Sequence, residues 1–153
     1  MLRNELGDFS SIICFKAAIT GMEEALGEKA TAIALIAAGR SRGKNLAKEL
    51  GLSGTSLDWA TIADKMDFAL GINGTKLCKI DSIVEEADVI KVATAETLCS
   101  AGEPEGSPRK CTFTLGAVWG ALEEITGKRL KGTHIESVLR GGSNDVFEFA
   151  PLV

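Results

Sequence analysis

The chain has 153 residues, 45% of them hydrophobic and 25% charged, which is the composition of one globular domain with a sizeable core rather than a disordered tail. A net charge of −4 and a pI near 5.1 exclude the basic surface that nucleic acid requires, and no basic run with interleaved aromatics is present. Without an apolar run of about 18 residues or a secretory h-region, the chain reads as a cytoplasmic protein with no transmembrane segment, and its four cysteines, none in a C-x-x-C pair, read as reduced thiols.

Residues 1–7 read as a frayed lead-in. Asp8 or Ser10 is placed to cap a first helix whose stripe is Ile12, Phe15, Ile19, Met22 and Leu26, stopped by Gly27. A second helix is expected from about 29 to 50, with Ile36, Gly39, Gly43, Leu46 and Leu50 on one face and Gly51 as its stop. Glycine in a helix costs about 1 kcal/mol against alanine, so two on the packing face point to a backbone, subunit or ligand that approaches closely. The strong stripes of these two helices make them the expected dimer surface. A third helix after Ser53-Gly54-Thr55-Ser56 presents Trp59, Ile62, Ala63, Met66 and Leu70.

Beyond Gly71-Ile72-Asn73-Gly74, β-branched residues become frequent and no helical stripe is kept. Residues 76–84 and 88–95 read as a hairpin turning at 85–87. The stretch 100–110, S-A-G-E-P-E-G-S-P-R-K, reads as a mobile loop, a candidate lid over the sheet or its end. Leu115, Val118, Trp119, Leu122 and Ile125 then mark a fourth helix ending at Gly127-Lys128. A second hairpin follows, with alternation from His134 to Leu139, a turn at Gly141-Gly142-Ser143-Asn144, and Phe147 and Phe149 on one face of the returning strand. The architecture expected is α+β, an antiparallel four-stranded sheet with helices mainly on one face, in a single domain spanning 1–153.

Chemistry is sparse. Gly39-Arg-Ser-Arg-Gly43-Lys44-Asn45 is one residue short of a phosphate loop, has no hydroxyl for magnesium, and follows a helix where a strand is needed. No Ser/His/Asp set and no dinucleotide fingerprint occurs. His134, the only histidine, reads as a strand residue facing solvent, and Glu123 and Glu124 as exposed helix carboxylates. Cys99 and Cys111 flank the 100–110 loop and can approach each other, but no set of four zinc ligands is evident. Gly116 and Gly120 form a small-residue ridge on the fourth helix. It serves either close packing or a hollow for a flat apolar ligand with Trp119 as its wall.

Cys111, Leu115-Gly116, Thr126-Gly127-Lys128, Glu136, Gly141 and Phe147, with Ala38-Gly39-Arg40, Gly43 and Leu46-Ala47 upstream, resemble the 4-vinyl-reductase-type domains, also called hydrocarbon-binding proteins. The resemblance covers roughly residues 30–150. Ser137 and Asp145 depart from it, standing where the family has cysteines. It implies a fold shared with TRAPP-type vesicle-tethering subunits, a homodimer, and an apolar cavity for a hydrocarbon- or tetrapyrrole-like ligand. On that reading Gly39, Arg40, Gly43, Cys99, Cys111, Gly116, Trp119 and Gly120 are the candidate binding residues, with no catalytic or metal residues and no cofactor that the sequence identifies. Two alternatives stand beside a binding domain: a dimeric adaptor with a filled core, and a reductase of tetrapyrrole vinyl groups.

Overall fold

The computed structural model describes residues 2–153. Among them the chain runs α1 (Ile12–Leu26), α2 (Glu28–Glu49), α3 (Trp59–Leu70), β1 (Lys79–Glu86), β2 (Val89–Ala95), α4 (Phe113–Thr126), β3 (Leu130–Glu136), a 3-10 turn (Val138–Arg140) and β4 (Asp145–Pro151). The strands form one antiparallel sheet in the order β1-β2-β4-β3. The α+β architecture is thus the one expected. Among the described residues no helix is long and apolar enough to cross a membrane.

Local chemistry accounts for the boundaries. The Ser11 hydroxyl accepts from the Ile13 amide to start α1, and the Asp58 carboxylate accepts from the Thr61 amide to start α3. Ser11 therefore caps α1, one residue beyond Ser10 and three beyond Asp8, the two candidates in the sequence. Gly127 closes α4 in the left-handed conformation at φ 67°, which costs a residue without a β-carbon little. The first hairpin turns on Ala87 and Asp88, both at positive φ, the twist a two-residue connection needs.

The core lies between one face of the sheet and helices α3 and α4. Ile62, Met66 and Leu70 from α3, and Val118 and Leu122 from α4, meet Ile90, Val92, Phe147 and Phe149. Phe147 and Phe149 are fully buried, each able to contribute roughly 2–3 kcal/mol by leaving water. Helix α2 backs onto α4, and α1 lies outermost against α2. A smaller cluster under α1 joins Ile19, Leu35 and Leu98 to Phe15, Met22, Leu77 and Phe113.

Two local expectations are corrected. The alternation across 134–139 is broken by a bulge between His134 and Glu136 and then by the 3-10 turn. Ile135 consequently faces solvent, whereas Ser137 and Leu139 are buried. The 100–110 stretch is held to its neighbours rather than free. The Gly106 amide donates to Leu139 O at 2.6 Å, and the Arg140 guanidinium donates to Ser107 O and Arg109 O at 2.9 and 3.0 Å.

Candidate functional site

The eight residues singled out in the sequence fall into three places. Gly39, Gly43, Gly116 and Gly120 meet in the seam between α2 and α4. A β-carbon on Gly43 would stand 1.8 Å from Ala117 O, on Gly39 2.2 Å from Phe113 O, on Gly116 2.3 Å from Ile36 O, and on Gly120 2.0 Å from Arg40 O. Each glycine is therefore closed by the backbone of the facing helix, and no hollow lies beneath the ridge. The closeness that the glycines announced is that of helix to helix.

Arg40 and Trp119 form the second place. The guanidinium lies 4.6 Å from the Trp119 ring and pairs with Glu123, whose other oxygen accepts from the Leu130 amide at 2.9 Å. Glu123 is accordingly half-buried and occupied, not a free helix carboxylate. Trp119 donates from Nε1 to Leu130 O at 3.0 Å and meets Phe149 edge-on. Gly132 exists in this strand for that reason, because a β-carbon there would be 2.7 Å from Phe149 and 2.8 Å from Trp119. Trp119 is a packed strut rather than a pocket wall.

Cys99 and Cys111 form the third, and they are joined as a disulfide with Cα atoms 5.1 Å apart. The expectation of reduced thiols holds among the described residues only for Cys14, exposed, and Cys78, buried. Burial, with help from nearby carboxylates, pushes the Cys78 thiol up to about 12, so it is inert. Beside the disulfide sits a polar cluster that the sequence did not announce. Asp145, buried, accepts from Thr97 Oγ1 at 2.8 Å and from the Val138 amide at 3.2 Å, and its Oδ1 lies 3.2 Å from His134 Nε2. Burial works against this carboxylate, yet the bonds from His134, Thr97 and Val138 outweigh it and hold Asp145 below the usual range. His134 is turned inward, 5.2 Å from the Phe147 ring, because it pairs with the buried Phe147 on the core face of the sheet, ahead of the bulge. Ligand atoms of Cys99, Cys111 and Asp145 lie within 4.8 Å of one another. Reduced, this trio offers donors to a metal ion; as a disulfide its sulfurs are spent on each other.

A groove of about 820 Å³ lies elsewhere, beneath the start of α1. Phe9, Ile12, Phe15, Leu70, Leu77, Leu98 and Phe113 supply apolar walls, and Ser10, Thr75, Lys76 and Arg42 supply the polar rim. Phe15 and Phe113 meet edge-on at 5.3 Å, and the Lys76 ammonium lies 5.5 Å from the Phe9 ring. Sequence reasoning assigned Phe15 and Ile12 to a core stripe and left Phe9, Leu98 and Phe113 without a role. Their signal is present only once the ends of the 100–110 loop are brought under α1.

No known family matches the sequence, and no curated protein does. Solved structures do match. The phenol-responsive sensory domain of the transcription activator PoxR, solved with phenol, superposes with a TM-score of 0.71 at 12% identity, over 94% of this chain and 76% of that one. The chain has the fold of the vesicle-tethering subunits. Subunit 3 of the trafficking protein particle complex from Naegleria fowleri, covalently bound to palmitic acid, matches at TM-score 0.61 and 15% identity over 93% of both chains. A vinyl-4-reductase family protein from Methanocaldococcus jannaschii matches at 0.56 and 17% over 97% of this chain and 86% of that one. The resemblance read from the motifs is therefore a relationship of fold.

Proposed function

We propose that the chain is a binding domain that seats an apolar, hydrocarbon-like small molecule in the groove beneath α1, with no chemistry of its own. The observation that carries this reading is the groove: about 820 Å³, walled by aromatic and aliphatic side chains, with a few polar groups at one edge. That is the usual constitution of a small-molecule site. Two neighbours of the same fold hold molecules with a large apolar part, phenol in one and covalently bound palmitic acid in the other, which supports a ligand of that character. The glycine seam and Trp119, closed by their own packing, are removed from the ligand site; Cys99 and Cys111 stay at its edge through Leu98 and Phe113.

The test is titration with N-phenyl-1-naphthylamine, whose fluorescence rises in apolar surroundings. Ala18 lines the groove and is exposed, so Ala18→Trp fills the space without disturbing a buried residue. Binding to the wild type and a loss of roughly tenfold or more in the variant is the expected outcome. Equal affinity in the two proteins removes the groove as the site.

A homodimer through α1 and α2 belongs to the same proposal. Ile13 and Ile33 are 77% and 63% exposed, and with Ala17 and Ala37 they make an outward face of small and apolar residues suited to another pair of helices. Sedimentation at micromolar concentration should give a dimer that Ile33→Glu dissociates; a monomeric wild type overturns it.

A further inference from the structure

The Cys99–Cys111 disulfide closes the 100–110 loop at its base, and both arms of the loop run into the groove. Leu98 precedes one cysteine, Phe113 follows the other by two residues, and both are groove walls. Helix α1 rests on these arms: Phe15 on Phe113, and Ile19 on Leu98 and Leu35. Its polar anchors come from the same loop. The Lys16 ammonium donates to Ala101 O and, at 2.8 Å, to Glu103, while Arg109 reaches Glu23 at 3.0 Å and Glu103 at 2.7 Å. Within α1 only Ile19 is buried. A helix with so little of its own surface covered stays in place by what it is fastened to.

We propose that Cys99–Cys111 is a redox latch, which fastens α1 to the body when oxidised and releases it when reduced. Opening of the ligand groove as the consequence rests on the binding function proposed above; the release of α1 does not. Cys99 is partly exposed and Cys111 buried, so attack comes at Cys99. A thiolate of a dithiol reductant bonds to Cys99 Sγ, the Cys99–Cys111 bond breaks, and Cys111 leaves as thiolate and takes a proton. The reductant's second thiol then displaces Cys99 from the mixed disulfide. Two electrons and two protons pass to the protein, and the dithiol becomes a disulfide. Once open, the loop regains freedom at its base, and the two arms beneath α1 are no longer held at a fixed separation.

Hydrogen exchange read by mass spectrometry tests this on the wild-type chain with and without dithiothreitol. Among the described residues this disulfide is the reductant's one target, since Cys14 and Cys78 are free. The latch predicts that amides within 16–22 exchange roughly tenfold faster, or more, under reductant while those of α4 do not. The Cys99→Ser/Cys111→Ser variant should show the fast pattern with or without reductant. Iodoacetamide applied to the folded, air-oxidised chain should label Cys14 and leave Cys99 and Cys111 untouched. Unchanged exchange in α1 on reduction, or labelling of Cys99 and Cys111 without reductant, overturns the latch. N-phenyl-1-naphthylamine separates the two proposals: if α1 loosens but no probe binds in either state, the groove fails and the latch stands.

Discussion

Gly43→Ala decides whether the α2–α4 seam is a packed contact or a space. On an isolated helix this change is stabilising by about 1 kcal/mol, because alanine surrenders less backbone entropy. In the folded chain the new methyl would stand 1.8 Å from Ala117 O and 2.8 Å from Ala121 N, against about 3.4 Å for an ordinary contact. Both obstacles are backbone of a helix whose opposite face is packed on the sheet, so neither can turn aside. The helices must part by about 1.6 Å at that level, loosening the Gly39–Gly116 and Gly120–Arg40 approaches on either side. Overpacking of this kind costs about 1–3 kcal/mol, and more where the obstacle is rigid. Taking the upper end of that range for these rigid obstacles and setting the propensity gain against it, a net loss of about 2 kcal/mol is expected. For a chain of this length that lowers Tm by about 4–8 °C, with a matching fall in the urea midpoint. Gly21→Ala in α1 is the comparison, since nothing lies within 4 Å of its site. It should raise stability by up to about 1 kcal/mol. If Gly43→Ala is as stable as Gly21→Ala, the seam has room and the reasoning about it is wrong.

Four further outcomes follow from the same geometry. Removing the disulfide by Cys99→Ser/Cys111→Ser should lower the unfolding free energy by about 3 kcal/mol, the loop-closure value for a ring near this size, measured by urea titration without reductant. Arg109→Ala, which leaves Glu23 and Glu103 without their cation, should cost about 1 kcal/mol and speed exchange in α1 more than in α4. Glu103 is held below its usual range by Lys16 foremost, and Asp145 is held low by His134, Thr97 and Val138 against its burial. Carboxylates depressed in the folded state stabilise it fully above their ordinary values, here 4.5 and 3.8, and lose that contribution as pH falls through the folded values. Urea midpoints should therefore drop on acidification below that range, with a shallower drop in Asp145→Asn.

Much of this architecture was legible because its signals are local. Gly27 and Gly127 stop their helices whatever surrounds them, and the four-residue spacing of Ile62, Met66 and Leu70 has one buried face in any context. The site was less legible because its meaning depends on what lies opposite. Gly39 and Gly43 announce a close approach, but a ligand and a partner helix leave the same mark in sequence, and only the position of Ala117 O tells them apart. His134 pairs with Phe147 on the core face, and the alternation of Ile135, Ser137 and Leu139 misplaces it because one bulge after His134 shifts their phase without altering composition. The pairing of Cys99 with Cys111 spans twelve positions of coil, a stretch with no period from which to read its path. The groove draws its walls from α1, the α3–β1 connection and both ends of that coil, so no single run of sequence displays it.

An apolar guest beneath α1 is the property on which the function proposed for this fold depends. Methyl-labelled protein titrated with N-phenyl-1-naphthylamine and followed by NMR measures it at the residues concerned. Saturable shifts are expected at the methyls of Leu70, Leu77 and Leu98, with those of Ala117 and Ala121 in the α2–α4 seam unmoved. Shifts confined to the seam, or none at the three leucines at saturating probe, contradict it.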